Sequence, residues 1–164
     1  MAEREVMIAC NTLRTEIEYL SAKHGVNRPI IWLESQLHNV PKKMAQTLQE
    51  AIDAVRDVDR VILGYANCGN VIQGLRSGNF ELAVPRVDDC ISLVFGSQKA
   101  RTAYGNVHRA IYFTDGWMDE GHNIIEEYNG LVDRYDSETA SDIFGMMYAN
   151  YRTMAYLDTG LYDT

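Results

Sequence analysis

The stretch VILGYANCGN, residues 61 to 70, is an apolar run that empties into small and polar residues around one cysteine. Val61-Ile62-Leu63 is continuous rather than alternating, the pattern of a strand buried on both faces of a parallel sheet. Four more runs of strand length share that character: Glu5-Val6-Met7-Ile8-Ala9, Pro29-Ile30-Ile31-Trp32-Leu33, Phe80-Glu81-Leu82-Ala83-Val84 and Ala110-Ile111-Tyr112-Phe113.

Helical patterns separate them. Leu13, Ile17 and Leu20 recur at helical spacing after Cys10, and Pro41 opens a long segment through Met44, Leu48, Ile52 and Val55. A shorter helical stretch runs from Val71 to Leu75. Asp88 or Asp89 is placed to cap a helix through Ile91, Val94 and Phe95. Residues 121–135 and 138–157 read as helices too, the last rich in Met146, Met147, Tyr148, Tyr151, Met154 and Tyr156, a pattern of core or dimer packing.

The alternation predicts a single α/β domain over residues 1–164. Its sheet is open, parallel and five-stranded, with helices on both faces and right-handed crossovers. That is a flavodoxin-like or Rossmann-like three-layer sandwich, with order 2-1-3-4-5 the natural choice. No linker, repeat or low-complexity segment divides the 164 residues.

A net charge of -8 argues against a nucleic-acid partner, whose phosphates need a basic face. No apolar run approaches the ~20 residues that cross a bilayer, and MAEREVMIAC lacks the form of a signal peptide, so a cytoplasmic protein is expected. Three cysteines, an odd number, fit free thiols better than a disulfide framework.

In open parallel sheets, ligands bind beyond the carboxyl ends of the strands, at the switch in strand order. Cys10 ends the first strand, His38 follows the second, Cys68 the third, Cys90 the fourth, and Thr114 and Asp115 the fifth. All three thiols therefore fall on the functional edge. Sulfur and imidazole suit zinc or another soft transition metal, with Cys10, Cys68, Cys90 and His38 as donors. The spacing lacks CxxC or HExxH, so the site would be assembled from separate loops. The same residues allow a Cys–His nucleophilic pair, or a redox pair of Cys10 and Cys68.

In PRVDDC, residues 85 to 90, Arg86 is placed to hold an anionic group, or simply to pair with Asp88. Asp88 and Asp89 offer an acid/base, an orienting carboxylate or an N-cap, and a helix beginning there would lower the Cys90 pKa if the thiol faces the helix N-terminus. Gly64, Gly69 and Gly74 match neither a phosphate loop nor a dinucleotide fingerprint, which excludes those nucleotide sites. His24, His108 and His122 read as solvated. Trp117 is a candidate pocket wall, or a seal for the helix after it.

WLESQLHN, VILGYANCGN, LAVPRVDDCISLVFGS, TDGWMDEG and LDTGL together resemble a prokaryotic family catalogued as a domain of unknown function, number sixteen thirty-eight. The resemblance runs from Cys10 to Leu161 and maps the family pattern onto Cys10, His38, Cys68, Arg86, Asp89 and Cys90. Gly116-Trp117 and Asp158-Thr159 match further blocks. Glu34, where the family favours aspartate, and Ala66-Asn67, where it favours Gly-Leu, depart from it. The resemblance implies an anaerobe and an association with corrinoid-dependent methyl transfer.

The expected enzyme is then a metal-dependent transferase. Cys10, Cys68 and Cys90 hold zinc, His38 is a fourth ligand or acid/base, Arg86 binds a small anionic or thiol substrate, and Asp89 orients. Corrinoid would come only through a partner protein or methyltransferase. The alternatives are a metal- or ligand-binding accessory module without turnover, and a cysteine redox protein. A homo-oligomer is compatible with each.

Overall fold

The computed structural model describes residues 3–34, 41–119 and 123–162. Its main sheet has four parallel strands, β1 (Glu5–Cys10), β2 (Ile30–Leu33), β3 (Arg60–Gly64) and β4 (Glu81–Ala83), in the order β2-β1-β3-β4. β1 and β3 lie side by side at the switch in strand order, with Ala9 opposite Gly64.

The core lies on one face of this sheet. Ile8, Val61, Leu63 and Tyr65 pack there with the apolar side of α2 (Pro41–Ala54), whose Met44, Leu48 and Ile52 recur at helical spacing and are buried, as is Val55 just past its end. Each such side chain contributes about 1.5–3 kcal/mol by leaving water. On the other face lies α1 (Arg14–Lys23). A Cβ on Gly64 would stand 2.7 Å from Ala9 Cβ and 3.3 Å from Ile17 Cδ1, so the strands and α1 close over a glycine. At the amino edge Arg60 binds Glu3, Glu5 and Glu81 across three strands and the chain before them.

Beyond β4 come α3 (Cys90–Val94) and α4 (Gln98–His108). β5 (Ala110–Phe113) does not extend the four-stranded sheet, as the order 2-1-3-4-5 required. It pairs in parallel with β6 (Thr153–Tyr156) in a second sheet. β4 is only three residues long. β5 is held to its neighbours by side chains instead: the Tyr112 ring meets Phe95 edge-on at 5.6 Å, and the Arg101 guanidinium lies over it at 5.0 Å.

Between β5 and β6 run α5 (Asp115–Asp119), α6 (Ile124–Val132) and α7 (Ser137–Tyr148). The helix expected over 138–157 therefore stops at Tyr148. In β6, Thr153 and Ala155 point inward while Met154 and Tyr156 are exposed, an alternation that belongs to a strand. Met146, Met147, Tyr151 and Met154 are likewise exposed and not in the core. The helix expected from Val71 is a set of turns after a 3-10 turn at Cys68–Asn70. No helix among the described residues is long and apolar enough to cross a membrane.

Candidate functional site

Cys10 is the last residue of β1 and is buried beside Tyr65, which follows β3. In the β1–β3 register the next rung after Ala9–Gly64 is Cys10 with Tyr65. The Tyr65 hydroxyl reaches the Leu33 carbonyl oxygen at 3.5 Å and shares a hydrogen bond with Cys10. Cys10 Sγ also lies 3.0 Å from Thr12 Oγ1.

Cys68 begins the 3-10 turn after β3. Gly69 and Asn70 have φ of 61° and 65°, left-handed conformations that glycine and asparagine tolerate best, and they fold the chain back at the strand end. The Asn67 N–H donates to the Val87 carbonyl at 3.1 Å, tying this loop to the one after β4. Cys90, the first residue of α3, is thereby brought to Cys68, and the two share a hydrogen bond. Cys68 is half-buried, whereas Cys10 and Cys90 are buried; none of the three is in a disulfide.

The loop after β5 closes on the same place. Thr114 is buried and caps α5, accepting from the Trp117 N–H. Gly116 rests on the backbone of Thr12, so closely that a Cβ would fall 2.0 Å from the Thr12 carbonyl oxygen. That contact sets Trp117 beside Cys90. Loops after β1, β3, β4 and β5 thus meet, and all three sulfurs lie near enough to the Tyr65 phenol to act on it.

The electrostatics follow from this crowding. Burial, with the three sulfurs adding to it, holds the Tyr65 phenol far above its usual range. The hydrogen bond with Cys68 and then burial push the Cys90 thiol well up, and the Trp117 indole acts in the opposite sense. The helix that Cys90 starts would acidify its thiol if the thiol faced the helix N-terminus. α3 is only five residues long, and the other two effects outweigh its dipole.

The carboxylates do structural work. Asp89 accepts from Ser92 N at 2.8 Å and Ser92 Oγ at 2.6 Å as N-cap of α3, and pairs with Arg101 at 3.1 Å. Asp88 is exposed, and its N–H donates to Gln98 Oε1. Arg86 is exposed on a separate shallow groove with Asn67, Gln73 and Asp88, and makes no ion pair among the described residues. Asp115 accepts from the Tyr156 hydroxyl, joining α5 to β6. His24 is exposed, and so is His108, which stacks on Tyr104 at 4.2 Å. His38 and His122 lie outside the described residues. Among those described, no group of three or more His, Cys, Asp and Glu stands in a metal-holding arrangement.

Tyr65 was not singled out from the sequence as part of the site. Its signal was the period of two from Val61 through Leu63, which puts it on the Cys10 face. A cavity of about 520 Å³ adjoins the cluster through Trp117 and was not foreseen either. Its lining includes Tyr112, Phe113, Trp117, Glu126, Glu127 and Tyr148.

The family model described as "Protein of unknown function (DUF1638)" matches residues 32–164, and the chain belongs to that family. Cys68, Cys90, Trp117 and the cavity lie inside the match, while Cys10 precedes it. No curated protein and no solved structure matches the chain.

Proposed function

We propose that this member of the family is a soft-metal protein, with zinc the first candidate, whose thiols activate a substrate thiol for methyl transfer. The convergence of Cys10, Cys68 and Cys90 from three separate loops at the switch in strand order supports this reading. Sulfur donors select soft ions, and a fourth donor is needed for a tetrahedral set. His38, between β2 and α2 in the sequence, is the donor the sequence offers, and the thiols would turn toward the ion as it binds.

A bound zinc would lower the pKa of a substrate thiol and offer it as thiolate to an alkyl electrophile. The chain's own groups prepare the site. Tyr65 and Thr12 hold Cys10 in place, Trp117 braces Cys90, and burial keeps water from the inner two sulfurs. Asp89 acts through α3 rather than on the substrate, and Arg86 belongs to the rim. A corrinoid would arrive on a partner protein. The same site without turnover would make the chain an accessory module of such a methyltransferase, and substrate-dependent turnover separates the two.

The hydrogen bond between Cys90 and Cys68 favours one other reading, a dithiol that closes to a disulfide. Elemental analysis of anaerobically purified protein decides between them, beside Cys10→Ser, Cys68→Ser and Cys90→Ser variants. About one zinc per chain, lost in at least two variants, is the expected result. Metal-free protein that oxidised glutathione converts to a Cys68–Cys90 disulfide would replace the metal reading with the redox one.

A further inference from the structure

The cavity between β5 and α6 has a lining that the thiol chemistry leaves unused. Four aromatic side chains, Tyr112, Phe113, Trp117 and Tyr148, stand around about 520 Å³, within the range of small-molecule sites. Among the described residues that line it, the charged groups are Glu126 and Glu127, both carboxylates, while Arg101 lies over the Tyr112 ring from outside that lining. The Tyr148 hydroxyl donates to Glu127, which fixes that ring against the acid. The positive end of α6 would oppose a cation, but its magnitude is about half a charge, and two carboxylates sit in the same first turn.

We infer that this cavity binds a small alkylated ammonium cation. Aromatic faces attract such cations through their quadrupole, and an alkylated ammonium is desolvated more cheaply than a simple one. An anionic substrate, as Arg86 suggested, would meet two carboxylates here. Trp117 belongs both to this wall and to the surroundings of Cys90, so a ligand in the cavity lies next to the thiol cluster. A part for that ligand in the thiol chemistry rests on the thiol site being the reacting centre; the affinity for a cation does not.

The test is therefore run on metal-stripped wild-type protein. Choline is titrated by calorimetry beside 3,3-dimethylbutan-1-ol, its uncharged carbon isostere, and acetate. Choline is expected to bind at least about tenfold more tightly than the isostere, with acetate not binding. Glu126→Gln with Glu127→Gln should weaken choline several-fold, and both positions are exposed, so the fold tolerates the change. Phe113→Leu, which removes a ring and no charge, should weaken it as well. Equal binding of choline and isostere, tighter binding of acetate, or an unchanged choline isotherm in the glutamine variant would overturn the inference. A positive isotherm on protein that elemental analysis finds metal-free as purified, before any stripping, would retain the cation site and discard only the zinc reading.

Discussion

Cys68 is the accessible member of the thiol cluster. On reduced, metal-free protein at neutral pH, iodoacetamide should label Cys68 first, with Cys10 and Cys90 reacting only on unfolding; peptide mass spectrometry reads the order. Early labelling of Cys90 would contradict its burial and its raised thiol pKa. Gly116 is the tightest backbone contact at the site. Gly116→Ala should lower stability by about 1–3 kcal/mol in denaturant melts, because the new methyl meets the Thr12 carbonyl and not a yielding side chain. The placement of the cysteines was legible because each follows an apolar run, and strand ends are well marked in a parallel sheet. The direction of the Cys90 shift was not. It depends on a neighbour, Cys68, more than twenty positions away and brought close by the β3–β4 pairing and the Asn67–Val87 hydrogen bond.

Among the elements, α2 and α3 make opposite predictions. Leu48 is fully buried against the sheet, so Leu48→Ala should cost about 2–5 kcal/mol. Asp89→Ala removes a cap and an ion pair and should cost about 0.5–2 kcal/mol. With a structural role only, the folded variant should match wild type in metal analysis and in the choline titration. A lost isotherm in a folded variant would return Asp89 to the site. Strands β1 to β5 were each legible as apolar runs. β6 was not, since Met and Tyr at 146–156 satisfy helical and strand periods alike, and tertiary pairing with β5 decides for the strand. The aromatic cavity was hidden for a related reason: its walls come from β5, α5, α6 and α7, and no local spacing joins them.

At the scale of the molecule, acid sensitivity follows from carboxylates held by fixed partners. Hydrogen bonds from Arg4 lower the Asp59 pKa, and those from Thr139 lower that of Asp136 at the start of α7. A depressed carboxylate contributes stability above its unfolded value, near 4, and the contribution is lost as pH falls through the folded value. Thermal midpoints should therefore be level from neutral pH to about 5 and fall below about 4. Asp136→Asn should flatten that acid limb; an unaltered slope would assign the loss to other groups. The α/β class and the order of the first four strands were readable from the chain. The break into two sheets was not, because a run such as AIYF names a strand without naming its partner.

The parallel ladders have a kinetic consequence. β1 must find β2 beyond α1 and β3 beyond α2, and β5 reaches β6 only after three helices. No pair among the described strands can begin as a hairpin, so ordered strand pairs arise only after long loops have closed. Helical signal should recover early in a refolding trace, while burial of Tyr65 and Trp117 comes late, with the milliseconds-to-seconds pace of non-local topologies. During that interval the unpaired apolar strands are open to other copies of the chain. Refolding yield should therefore fall as protein concentration rises, even where the finished protein is stable.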